Sequence, residues 1–177
     1  RAERRVAMGY CDVIVHDAAE AVKMAHGAAS RRETLGIALI GNAAEIFEEM
    51  RRLNLHPAAV TDQTSAHDPL RGYIPAGHSL SEAIELRGRD PDRYIAESMA
   101  SMARHVRAML AFQDDGAIVF EYGNNIRGHA EEAGEKRAFE IEGFVPLFIR
   151  PSFARGRGPF RWVCLSGDPA DLATTDA

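Results

Sequence analysis

Little in this chain of 177 residues suggests a stapled, metal-bound or membrane-embedded protein. Its two cysteines, Cys11 and Cys164, have no CxxC partner and no Cys/His ligand spacing, so both read as free thiols of a reducing compartment. Its seven histidines are scattered, which argues against a metal site built from local ligand motifs. No apolar run approaches the roughly 20 residues that a membrane helix needs. Arg1-Ala2-Glu3-Arg4-Arg5 lacks the apolar stretch of a signal peptide. Basic residues are outnumbered, 21 lysines and arginines against 26 aspartates and glutamates. A net charge of -5 and a pI near 5.8 offer nucleic acids and anionic membranes no long-range attraction. Also absent is the GxGxxG fingerprint of dinucleotide-binding turns. These gaps leave an ordinary soluble, cytoplasmic globular protein as the expectation, with no nucleic-acid or membrane partner.

What is present alternates. Gly36-Ile37-Ala38-Leu39-Ile40 is short and apolar on both faces, as in a strand inside a parallel sheet. Gly41 breaks it, and Asn42 with Glu45 reads as a helix cap with a reciprocal acidic partner. Ile46, Phe47, Met50 and Leu53 then follow at helical spacing until His56-Pro57. Ala58-Ala59-Val60 predicts a second buried strand, followed by the polar loop Thr61-Asp62-Gln63-Thr64-Ser65-Ala66-His67-Asp68. Two strands joined by one helix make a right-handed crossover, and such units bind ligands outside the carboxyl edge of their sheet.

The flanking chain extends the pattern. Residues 11–15 predict a strand, and Asp17 with Glu20 caps a helix to about Arg32. Ser79 with Glu82 opens a short helix after an irregular stretch, and Asp90-Pro91 opens a longer one. In the longer helix Ile95, Met99, Met102, Val106 and Met109 form one apolar stripe, with His105 beside it. Ala117-Ile118-Val119-Phe120 predicts another strand, ending in a third polar turn, Glu121-Tyr122-Gly123-Asn124-Asn125-Ile126-Arg127. The fold class expected is therefore α/β, a Rossmann-like parallel sheet flanked by helices, over residues 1–148. Residues 149–177 read as a return segment into a larger core domain. The charged opening and polar close suggest a segment excised from a longer protein.

The chemistry gathers in the turns. Gly41 and Ala43 let a ligand approach backbone amides at a helix start, although Asn42 also serves as a plain cap. Asp62 follows Gly41 at about the interval, roughly 20 residues, at which an acidic group holds a ribose hydroxyl. Gln63 through His67 concentrate donors and acceptors, or form a self-stabilising polar turn. His67-Asp68 has the residue types of a base and its orienter, but neighbours in sequence seldom face each other and no nucleophile has local support. The arginines from Arg155 to Arg161, beside Phe160 and Trp162, suit a carboxylate or phosphate.

Several blocks together resemble the urocanase (urocanate hydratase) family. They are Gly41-Asn42-Ala43-Ala44-Glu45, the loop from Thr61 to Leu70, Tyr122 to Arg127, Gly143-Phe144-Val145-Pro146, Ile149-Arg150-Pro151, Gly158-Pro159-Phe160-Arg161-Trp162 and Leu165-Ser166-Gly167-Asp168-Pro169, in that order. The resemblance implies a lyase of histidine degradation that adds water to urocanate to give imidazolone propionate, with tightly held NAD as electrophile. It implies a homodimer and a Rossmann-like NAD domain set within a larger core.

By motif, the resemblance assigns NAD contacts to Arg1, Asn42, Ala43, Gln63, Thr64, Ser65, Ala66, His67, Tyr73, Ile74 and Tyr122, and the urocanate carboxylate to Arg161. The family's glycine-rich turn and ribose acid lie upstream of this segment, which weakens Asp62 as a ribose ligand. Its reactive-site cysteine belongs to a downstream block absent here, so neither Cys11 nor Cys164 inherits that role and no catalytic residue is assigned. The isolated segment is expected to be inert and to bind NAD weakly or not at all. The alternatives are a non-catalytic nucleotide-binding module and an NAD-dependent dehydrogenase.

Overall fold

The computed structural model describes residues 2–158 and 165–176, and forms two compact units, Arg1–Phe144 and Val145–Ala177. In the first unit the order is α1 (Ala2–Ala7), β1 (Val13–Val15), α2 (Ala18–Arg31), β2 (Ile37–Leu39), α3 (Ala43–Arg52), β3 (Ala59–Asp62), α4 (Leu80–Arg89), α5 (Pro91–Asp114), β4 (Ile118–Glu121), α6 (Ile126–Glu132) and β5 (Glu142–Gly143). The fold is α/β, with parallel strands flanked by helices.

Local signals set the helix starts. Asp17 accepts from the Glu20 amide ahead of α2, and Asp90 accepts from the Arg93 amide ahead of α5, whose first residue is Pro91. Ser79 and Glu82 complete a reciprocal capping box at α4. Asn42 caps α3, but through the Ala44 amide, and Glu45 is not its reciprocal partner. The Glu45 carboxylate instead accepts from the Gly77 amide at 2.9 Å. An acid at that position is within reach of a passing loop, and the long-range bond replaces the local one.

Among the described residues all strand pairs are parallel. β1 lies beside β2 with Val13 opposite Ile37, β3 beside β4 with Ala59 opposite Ile118, and β4 beside β5 with Phe120 opposite Glu142. The strands form two sheets, β1-β2 and β3-β4-β5, so β2 and β3 are not the neighbouring partners that the crossover reading predicts. Local pinning accounts for this. Asp12 binds the Gly36 amide through its side chain and so fixes the start of β2 against β1. β3 is matched over its whole length by β4.

The main core lies between the β3-β4-β5 sheet and α5. Met102, Val106 and Met109 are fully buried, and Val60, Val119, Ile126, Ala130 and Ile141 close around them. Ile95 and Met99, earlier on the same stripe, are only partly buried. Burying one such side chain contributes roughly 1.5–3 kcal/mol, so α5 is the element on which this unit is assembled.

The second unit is described separately. Residues 145–149 make a single π-helical turn leading into α7 (Arg150–Phe153), and α8 (Pro169–Asp176) follows further on. Asp168 accepts from the Ala170 amide at the start of α8, and Ser166 donates to Asp171. Arg1 and Arg161, two of the residues assigned by resemblance, lie outside the described residues, as do Phe160, Trp162 and Cys164.

Candidate functional site

The carboxyl ends of β2 and β3 open onto a shared cavity of about 600 Å³, a size typical of small-molecule sites. One wall is Ile40, Gly41, Asn42 and Ala43, where β2 gives way to α3. The facing wall is Gln63, Thr64 and Ser65, and Gly72, Tyr73, Ile74, His78 and Leu80 close the side. Asn42, Ala43, Gln63, Thr64, Ser65, Tyr73 and Ile74, separate in sequence, therefore meet on one surface.

Other residues singled out in the sequence sit elsewhere. Ala66 is fully buried in the core cluster beneath the loop. His67 is exposed and does not line the cavity. Asp68 is engaged by the Leu70 and Arg71 amides, which hold its carboxyl below the usual range, the Arg71 bond most strongly. Tyr122, at the end of β4, is half-exposed and stacks on Phe144 with ring centroids 4.4 Å apart. It does not line the cavity, though its turn touches the second loop: the Asn124 side-chain amide donates to Asp62 and to the Thr64 carbonyl.

Asp62 faces inward. It is 2% exposed and accepts from the Thr64 amide, the Thr64 hydroxyl and Asn124. An acid so engaged is not available to a ribose in the cavity. Beyond it, the His105 Nε2 lies 3.9 Å from Asp62 Oδ1, and the His105 Nδ1 lies 3.2 Å from the Tyr73 hydroxyl. Burial holds the imidazole below its ordinary pKa, opposed in part by the Asp62 charge. Burial, reinforced by the same carboxylate, pushes the Tyr73 phenol well above its usual range. At neutral pH the histidine and the phenol are both uncharged.

The stretch from Tyr73 to His78 is held by one face of α5. Tyr94 donates to the Tyr73 carbonyl, Glu97 pairs with His78 at 2.5 Å, Ser101 accepts from the Ala76 amide, and His105 meets the Tyr73 hydroxyl. Their spacing of three, four and four residues places them on one side of the helix. From the opposite side Asn42 donates to the Ile74 carbonyl and Glu45 accepts from the Gly77 amide. Sequence reading missed Asp62, Asn124, His105, Glu97 and His78 as parts of this arrangement. The available signal was a polar His105 set three residues after Met102 and four before Met109 on a buried face.

Among the described residues the lining has no lysine, arginine or carboxylate, and its ionisable groups there are His78 and the neutral Tyr73. Amide and hydroxyl groups from Asn42, Gln63, Thr64 and Ser65 face exposed Ile40, Ile74 and Leu80. That donor set suits a flat, uncharged heterocycle bearing hydrogen-bonding substituents. It does not by itself neutralise a pyrophosphate. Among the described residues, no group of three or more His, Cys, Asp or Glu is arranged to hold a metal ion, and no helix is long and apolar enough to cross a membrane.

Parallel strands between helices, with a polar cavity at the strand ends, define a Rossmann-like α/β domain. Residues 1–148 match the model of the urocanase Rossmann-like domain, and residues 151–177 match that of the urocanase C-terminal domain. The chain belongs to the urocanase family.

Proposed function

We propose that this chain is the dinucleotide-binding part of a urocanate hydratase, a lyase of histidine degradation that adds water to urocanate to give 4-imidazolone-5-propionate. In this reading the chain works within a longer, cytoplasmic, homodimeric protein and is inert when isolated. The observation that carries it is the cavity at the ends of β2 and β3, where Asn42, Ala43, Gln63, Thr64, Ser65, Tyr73 and Ile74 converge. Its lining, which among the described residues carries no lysine, arginine or carboxylate, fits the nicotinamide and ribose portion of NAD better than the phosphates, which would need partners elsewhere, Arg1 among the candidates.

When bound, NAD supplies an electron-poor ring that the protein alone lacks. The residues of this chain orient that ring and exclude water around it. Gln63 offers its amide and Ser65 its hydroxyl to ring substituents. Asn42 and Thr64, whose amide and hydroxyl are engaged by Ile74, Ala44 and Asp62, hold the walls against the ligand, and Ile74 and Ile40 provide apolar surface. Ala66 supports the loop from below, and His67 and Tyr122, which do not line the cavity, are assigned to the cofactor by the family resemblance alone. Arg161, which lies outside the described residues, is assigned the urocanate carboxylate on the family resemblance and on the affinity of a guanidinium for a carboxylate.

The test is mass spectrometry of the small molecules released on denaturing the full-length protein, followed by an assay for loss of the ultraviolet absorbance of urocanate. Stoichiometric NAD and urocanate turnover are expected, and Gln63→Ala should lower NAD content without lowering the melting temperature of the NAD-free protein. Absence of any dinucleotide would overturn the cofactor reading. Substrate-linked appearance of NADH would indicate a dehydrogenase instead.

A further inference from the structure

His105 is fully buried, and its Nε2 has no hydrogen-bond partner among the described residues. The nearest charged group is the Asp62 carboxylate, already engaged by Thr64 and Asn124. A lone pair on Nε2 would face that negative charge, so the proton belongs on Nε2. Nδ1 is then the acceptor for the Tyr73 hydroxyl. From α3, Phe47 packs edge-on against the imidazole with centroids 4.9 Å apart and offers no competing polar group.

We infer that His105 is a positioning residue of the cofactor site: as the Nε2-protonated neutral tautomer, set by the Asp62 carboxylate 3.9 Å from Nε2, it anchors the cavity wall at Tyr73. The inference rests on the reading of the cavity as the dinucleotide site. The Tyr73 hydroxyl points to His105 and away from the ligand, so His105 acts on NAD only through where Tyr73 holds its ring and backbone. Without that anchor the wall is in place for a smaller fraction of the time, and apparent affinity falls by that fraction.

The experiment uses the full-length protein with NAD as probe and follows the dissociation of NAD after dilution by mass spectrometry. His105→Phe retains an aromatic ring and removes both nitrogens, and Tyr73→Phe retains the cavity-facing ring and removes the hydroxyl. Each should speed NAD loss about tenfold, the change expected for one buried hydrogen bond. The double variant should be no faster than either single one, and His105→Gln, which keeps a donor and an acceptor, should recover part of the retention. Effects that multiply in the double variant, or normal retention by His105→Phe, would overturn the proposal.

Hydrogen exchange of residues 73–78 is read in parallel and does not depend on NAD. If the wild-type protein holds no NAD, the cofactor reading fails. Faster exchange in both single variants, with none added in the double, still supports the anchoring by His105, and unchanged exchange refutes it.

Discussion

The side-chain amide of Asn42 donates to the carbonyl of Ile74, 2.8 Å away and 32 residues later. The oxygen of the same amide accepts from Ala44 and caps α3. One side chain thus starts a helix and fixes the opposite wall of the cavity.

Asn42 therefore has two separable roles. Asn42→Asp keeps the cap and loses the donor, so the melting temperature should hold while ligand retention falls. Asn42→Ala loses both and should cost about 1 kcal/mol of stability in addition. Chemical denaturation alongside a binding measurement separates the two: equal stability loss in both variants would assign the cost to the Ile74 bond and none to the cap, and normal ligand retention in Asn42→Asp would overturn the wall-fixing role.

Gly72 closes the loop against Ser65. A Cβ at Gly72 would strike the Ser65 carbonyl and would come within 2.9 Å of the Asp68 carbonyl. Backbone oxygen cannot rotate out of the way as a side chain can, so Gly72→Ala should destabilise by roughly 1–3 kcal/mol. Gly77→Ala is an informative control: nothing lies within 4 Å of its Cβ, and any cost there comes from its positive φ of 82°. Denaturant midpoints compare the two.

The lowered pKa of His105 gives stability a definite dependence on pH. The unfolded chain takes up a proton near pH 6.5, whereas burial keeps the native imidazole neutral to lower pH. Stability present above that value is lost as pH falls below it toward the native pKa, because the unfolded state then binds more protons. Melting temperatures between pH 7.5 and 5 should decline, and the decline should be shallower in His105→Gln. Parallel slopes would assign the acid sensitivity to other groups.

Glu121 is 2% exposed and pairs with Arg127 at 2.5 Å while accepting from the Gly123 and Asn124 amides. Arg127→Met would leave a buried carboxylate with two amides and no counter-charge, a loss of roughly 3 kcal/mol. The exposed Arg137, despite bonds to both Asp114 and Glu140, should be replaceable by alanine with no change in melting temperature, because solvent and salt screen such pairs. Thermal scans at low and high salt test both.

Much of the fold was legible because helix starts and buried stripes are local. Asp17, Ser79 and Asp90 each announce a helix within three residues, and the Met102-Val106-Met109 spacing announces the face that α5 buries. Strand partners are not local. Nothing between Gly36 and Val60 reveals that β2 pairs backward with β1 while β3 pairs forward with β4. The cavity was half-legible for the same reason. Its polar turns stand out as runs of amides and hydroxyls, but the side chains that fix them come from α5, where Glu97, Ser101 and His105 resemble ordinary polar residues of an amphipathic helix.

The grip of α5 on residues 73–78 makes helical phase a control variable. Tyr94, Glu97, Ser101 and His105 span about 16 Å at 1.5 Å per residue, and inserting one residue before Tyr94 would leave their mutual spacing intact. Inserting one between Glu97 and Ser101 would swing one half of the row by about 100° relative to the other. The segment from 73 to 78 could then follow only half of its anchors. Change in the family should therefore tolerate substitution along this helix more readily than an insertion or deletion between Tyr94 and His105.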